Sequence, residues 1–318
     1  MESKKKRDIG TIYNKYGIGI ILIAIVIIAA FMSPAFLTVS NLTNVLRQVA
    51  VITLLGFGST FILITGEINV AYDTVIALIG CASVMVVVST GSVFLAVITA
   101  LILGGFLGAF YGFFVTRFNV PAFIVGLALS SIAEGAVLVL TNATAITGLS
   151  NEFKFFGQGY VGFIPFPVLL VIVFLLTTWY VLSQTKFGRH VYAVGGNRKA
   201  AEASGISSKK TVMLVFVIDG IITGVASIVF MGRLGSGQPT AGTGYCFDAI
   251  TAVVVGGTSL SGGYGGVTGT IIGACVIGVI NNIMNLVNVN SYWQSIVKGI
   301  IILAAVVIDV VTKKKSNY

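Results

Sequence analysis

Apolar residues fill the sequence in ten blocks separated by short polar or glycine-rich connections. Windows of about 20 residues place them at 16–36, 47–65, 73–89, 93–115, 121–141, 163–182, 211–231, 247–258, 266–287 and 292–311. Most are long enough to cross a hydrocarbon core of roughly 30 Å as helices, in which each backbone N–H and C=O finds its partner within its own segment. The pattern predicts an all-α polytopic membrane protein, a single transmembrane domain over residues 1–318 with about ten spans. The eighth block is short and runs on into the glycine-rich GGTSLSGGYGG. A segment of this kind reads as a broken or re-entrant helix, tolerated at membrane depth only against protein or a water-filled cavity. Gly256 and Gly257 are therefore candidates to line a path through the membrane; the competing reading is a flexible turn between spans eight and nine.

Composition agrees with the pattern. The 318 residues are 56% hydrophobic and 9% charged, against roughly 25% charged in a soluble domain, and mean hydropathy is +1.02. The 39 glycines suit close packing of helices in lipid, where small residues let backbones approach. The first apolar block follows a basic stretch, as in a signal peptide, but it is long and lacks a small-residue cleavage site, so it reads as an uncleaved first helix.

The net charge of +9 does not point to nucleic acid, because the basic residues lie in loops and tails and not on one folded face. An even number of spans puts fifteen of the nineteen Lys and Arg residues on one side, which the positive-inside rule makes cytoplasmic. They fall in the tails 1–15 and 312–318, at Arg117, and in the connection 183–210. Both termini are then cytoplasmic. Arg47, Lys154 and Arg233 lie near the outer face, and Lys298 lies within the last span.

The connection 183–210 contains GGNRKAAEASGI. Asn197 is a candidate N-cap, the residues from Arg198 to Ser204 favour a short helix, and Gly205 can end it in the left-handed conformation. A surface helix with nothing to span can dock a partner; the alternative is a solvated hairpin.

Four ionisable residues fall within spans: Glu134, Asp219, Asp248 and Lys298. Each costs about 2.5–3.5 kcal/mol at a helix centre unless paired or hydrated. Glu134, Asp248 and Lys298 map to the outer half, where Lys298 can pair with Asp248 or Glu134, while Asp219 has no evident basic partner. Such residues serve either as structural ion pairs or, in an ion-coupled carrier, in coupling. Asn281, Asn282 and Asn285 share one helical stripe and either line a hydrophilic path or hydrogen-bond neighbouring helices. The glycine-rich stretch is no phosphate cradle, since a P-loop needs GK followed by Ser or Thr. With one histidine and three scattered cysteines, the chain has no metal or nucleophile constellation, and no enzyme is expected.

The runs KFGRHVYAVGGNRKAAEASGI, GQPTAGTGYCFDAITAVVVGGTSLSGGYGGVTGTIIGA and NNIMNLVNVNSYWQSIVKGIIILAAVVID resemble the permease subunits of bacterial ribose-type ABC importers. FFGQGYVGFIPFPV and VPAFIVGLALSSIAEGAVLVLTN extend the similarity over nearly the whole chain from about Asn41. The resemblance implies an inner-membrane permease that translocates a monosaccharide and works as a pair, with a second identical copy or a paralogue. It implies a cytoplasmic ATPase carrying ATP and Mg, a periplasmic or lipid-anchored sugar-binding protein, and no cofactor on this chain. It places the ATPase-coupling surface at Gly195, Gly196, Asn197, Ala200, Ala201, Ser204 and Gly205. One stretch departs from the family pattern. Where members usually read GGIDLSVGS, this chain reads GEINVAYDT from Gly66 to Thr74, which leaves open an altered substrate, a different permease partner or a degraded copy. The alternatives to a sugar permease are an ion-coupled secondary transporter and a branched-chain amino-acid ABC permease.

Overall fold

A computed structural model describes residues 2–316, with side chains described for 17–290, 292–304, 306 and 307. The side chains of both basic tails, 1–15 and 312–318, lie outside the described ones. The chain runs α1 (Glu2–Met32), α2 (Val39–Ile64), α3 (Tyr72–Thr90), α4 (Val93–Arg117), α5 (Ala122–Thr141) and α6 (Asn151–Gln158). A two-stranded antiparallel hairpin follows, β1 (Tyr160–Val161) and β2 (Ile164–Pro165). Then come α7 (Phe166–Gln184), α8 (Lys186–Gly196), α9 (Arg198–Ala203), α10 (Ser208–Leu234), α11 (Tyr245–Val255), α12 (Val267–Leu286) and α13 (Ser291–Ser316).

Local sequence sets most of the boundaries. The side-chain oxygens of Thr38, Ser92, Ser150, Thr185 and Ser207 accept backbone N–H groups at the starts of α2, α4, α6, α8 and α10, filling donors that have no partner inside the helix. At their C-terminal ends, α3 and α10 stop on Gly91 and Gly235, both left-handed.

Among the described residues, seven helices are long and apolar enough to cross a membrane: α2, α3, α4, α5, α7, α10 and α12. Three shorter apolar stretches accompany them, Gly17–Met32 in α1, Tyr245–Val255 in α11 and Tyr292–Ala304 in α13. The fold is thus polytopic and all-α, with a smaller number of self-sufficient spans than the ten apolar blocks. For α11 the reason is length, since its 11 residues rise only about 16 Å at 1.5 Å per residue.

Helix α2 stands at the centre, buried continuously from Val49 to Ile64, with α10, α11, α12 and α7 packed around it. On one side α4 lies between α3 and α10; on the other, α1 lies on α12 and α13 on α11. Helix α6 and the β1–β2 hairpin cap one end, where Gly157 of α6 rests on the Gly232–Arg233 backbone. Arg47 of α2 donates to the Gln158 carbonyl and lies 4.9 Å from the Tyr160 ring centre. Helices α8 and α9 occupy the opposite end.

The tightest crossing is α4 on α10. Gly104 and Gly108 of α4 meet Gly220 and the Phe216 carbonyl of α10 so closely that a Cβ at either would enter backbone atoms. Small residues every fourth position bring two helix backbones into van der Waals contact, the main attraction left between helices once lipid replaces water. Gly108→Leu is expected to destabilise the fold by about 1–3 kcal/mol through overpacking. Gly135→Leu, at a site where a Cβ meets nothing within 4 Å, should leave it unchanged, as read by thermal unfolding of the detergent-solubilised protein.

Candidate coupling surface and intramembrane polar centres

Helix α9 is built as a separate surface element. Asn197 Oδ1 accepts the Ala200 N–H at 3.0 Å, Gly205 takes φ +81°, and the Ile206 N–H returns to the Ala201 carbonyl at 3.0 Å, closing the helix on both ends. Ala200, Ser204 and Gly205 are exposed, while Ala201 turns inward and is buried. Beneath it, Gly195 and Gly196 end α8, an amphipathic helix that periodicity did not separate from the surrounding loop. A Cβ at Gly195 would strike the Ile64 carbonyl at the end of α2. That same carbonyl accepts the Gly263 N–H at 2.8 Å, and Tyr192 of α8 donates to the Gly265 carbonyl at 2.8 Å. The α8–α9 unit is thereby fastened to the end of α2 and to the glycine-rich loop 256–266.

Two carboxylates define the buried polar centres. Asp248, in the first turn of α11 and 5% exposed, pairs with Lys298 of α13 at 2.9 Å and accepts the Asn281 amide of α12 at 2.9 Å. Three helices meet on one carboxylate. The small cavity beside it, about 10 Å³ and lined by Asp248, Asn281 and Lys298, has room for about one water and none for a sugar. Glu134 is exposed on α5, away from this group, so Lys298 is bound to Asp248.

Asp219 of α10 is 2% exposed and has no basic partner among the described residues. It instead accepts the Tyr72 hydroxyl at 2.7 Å and the Asn69 amide at 2.8 Å. Both donors come from 65–71, where the chain leaves helical conformation between α2 and α3, and from the first turn of α3. Asn69 Oδ1 also accepts the Ala71 N–H at 2.9 Å, which holds the segment's own backbone. In that turn, Asp73 reaches across to α11 and accepts the Gly244 and Cys246 N–H groups at 2.9 and 2.5 Å. A carboxylate on the free amides of a helix N-terminus also interacts favourably with the helix dipole.

Residues 41–306 match the family model described as branched-chain amino acid transport system / permease component. The chain belongs to this permease family. It is similar to the ribose import permease protein of Bacillus subtilis (strain 168), 40% identical over 319 residues covering 99% of this chain and 98% of that one. It is similar also to the ribose import permease protein of Escherichia coli (strain K12), 40% identical over 294 residues, 91% of this chain and 92% of that one. The D-allose transport system permease protein of the same organism is 36% identical over 309 residues, 96% and 94% of the two chains. No solved structure matches.

The polar residues of the stretch 66–74 are engaged. Glu67 pairs with Arg198 at 2.7 Å, Asn69 and Tyr72 hold Asp219, and Asp73 caps α11. Each of these polar residues has a complement on another helix. The asparagine stripe of α12 is also engaged. Asn281 donates to Asp248, Asn282 exchanges amide bonds with Asn41 at 2.8 and 3.0 Å, and Asn285 accepts Gln294 at 2.9 Å. Gly256 packs against Gly269 of α12, and Gly257, at φ +89°, turns the chain out of α11. Sequence reasoning missed Asn69, Tyr72 and Asp73 as centres of contact because their partners lie about 150 residues or more away along the chain, beyond any periodicity.

Removing one member of a buried ion pair costs about 3–5 kcal/mol because the other charge is left unpaired. Lys298→Met is therefore expected to destabilise the permease on that scale, and Lys298→Met with Asp248→Asn substantially less. The same cycle with Glu134→Gln should be additive, with thermal unfolding in detergent as the readout.

Proposed function

We propose that this chain is the membrane-spanning subunit of an ATP-binding-cassette importer that moves a monosaccharide, ribose, across the bacterial inner membrane. The observation that carries the reading is near full-length similarity to ribose import permeases, in a chain whose most exposed capped element is the short helix α9. The family description names branched-chain amino acids, but the similar proteins are named for ribose and D-allose, which weighs for a sugar.

In this reading the chain spans the membrane ten times with both termini in the cytoplasm. The supporting facts are the seven long helices, the three shorter apolar stretches and the clustering of Lys and Arg in alternate connections. Helices α8 and α9 then face the cytoplasm and α6, β1 and β2 the outside. ATP and Mg are held by a separate ATPase docked on Gly195, Gly196, Asn197, Ala200, Ala201, Ser204 and Gly205. A sugar-binding protein delivers substrate at the α6 end, and a second permease chain, identical or paralogous, completes the pathway. The intramembrane polar residues serve as structural ties between helices, and ion coupling is not required of them. Transport is a rocking of packed helices driven by ATPase closure, because helices in van der Waals contact move as units.

Reconstitution tests the reading directly. Proteoliposomes containing the chain, its ATPase and its binding protein should take up labelled ribose only with ATP. Uptake by the chain alone under an ion gradient would refute the assignment. Ala200→Trp, on the exposed face of α9, should lower uptake on the order of tenfold by displacing the docked partner while the protein remains in the membrane.

A further inference from the structure

Segment 66–73 makes contact with α9, with α10 and with the start of α11. At its start, Glu67 holds Arg198, the first residue of α9, at 2.7 Å. Just before it, the Ile64 carbonyl lies against Gly195 and accepts the Gly263 N–H. In its middle, Asn69 and Tyr72 are fixed on Asp219 of α10. At its end, Asp73 grips the N-terminus of α11 through two N–H groups, and Gly242 packs on the Asp73 carbonyl. Helix α11 in turn carries Asp248, the junction of α12 and α13.

The bonds along this segment differ in a telling way. Asp219 and Asp248 are buried, as is Asn69, and hold their partners inside the protein. The Glu67–Arg198 pair is exposed on one side only: Arg198 is about half exposed, Glu67 15%. Solvent on the Arg198 side screens the pair, so its contribution to folding stability is modest. By its position it is the one ion pair, among the described residues, that joins the α8–α9 unit to the interior segment.

Resting on the permease reading above, we infer that segment 66–73 is the strap through which displacement of α9 reaches the half-helix α11. Glu67 is the positioning residue at the α9 end, Asp73 the positioning residue at the α11 end, and Asp219 the pivot between them. Pulling on Glu67 by way of Arg198 shifts a short non-helical chain held at its middle, and the far end, in the first turn of α3, moves the N-terminus of a helix too short to span by itself. The physical warrant is a chain of bonded elements with one partly solvent-accessible link.

The test measures ribose uptake and phosphate release together in proteoliposomes holding the permease, its ATPase and its ribose-loaded binding protein. Glu67→Gln is expected to keep phosphate release within about twofold of wild type while ribose moved per ATP falls roughly fivefold. Exchanging the charges, Glu67→Arg with Arg198→Glu, should restore the ratio, and Glu67→Arg alone should not. Asp73→Asn, at the far end, should show the same loss of ratio. An unchanged ratio in Glu67→Gln beside an active wild type overturns the strap, as does failure of the charge exchange to restore it. A parallel fall of uptake, phosphate release and membrane-inserted protein also overturns it, since that is the signature of a merely structural role. Absence of ATP-dependent ribose uptake by the wild type refutes instead the permease reading on which the strap rests.

Discussion

Backbone amides and carbonyls removed from water must find partners within the protein, and two of the breaks between helices come together in the fold. One break is 65–71, between α2 and α3; the other is the approach to α11 after Gly235. A carboxylate next to the first satisfies amides at the second. Asp73, one turn past the first break, accepts the free amides at the start of α11, and Asn69, inside the first break, binds both its own backbone and Asp219. The two irregular segments are possible because they are neighbours. The arrangement of α2, α3, α10 and α11 follows from that pairing.

The remaining helices are arranged by shape. Glycines on α4 and α10 let two backbones touch, and α2 is covered on nearly every side. The charged and amide side chains occupy the seams between helices, where Asp248 joins three of them and Asn282 joins α12 to α2. Among the described residues, the cavity beside Asp248 is about 10 Å³ and has no room for a sugar. The polar contacts tie neighbouring helices to one another.

The surface at the α9 end has a different character. Helix α9 is short, capped at both ends and exposed, and it rests on α8, whose last glycines lie against the end of α2. Force applied there is delivered to the central helix and the glycine-rich loop by backbone contact, and to segment 66–73 by one ion pair. In the proposed function this is the surface on which another chain supplies the energy.

The amino-acid sequence by itself determined the environment and most of the helices, because burial in lipid demands long apolar runs and leaves a signal that needs no tertiary information. It also determined α9, since Asn197 and Gly205 act on backbone a few residues away, and the shortness of α11, since length is counted along the chain. Resemblance of its motifs carried the family. Only the tertiary structure decided that Lys298 belongs to Asp248 and not to Glu134, that Asp219 is held by Asn69 and Tyr72, and that Asp73 caps α11. It also separated α8 and α6 from loops that look merely polar. The physical reason is the same in each case: a hydrogen bond or ion pair between residues 30 to 180 positions apart depends on which helices are neighbours, and in lipid that is fixed by the fit of small residues and polar side chains across helix faces, which the apolar pattern of each span does not encode.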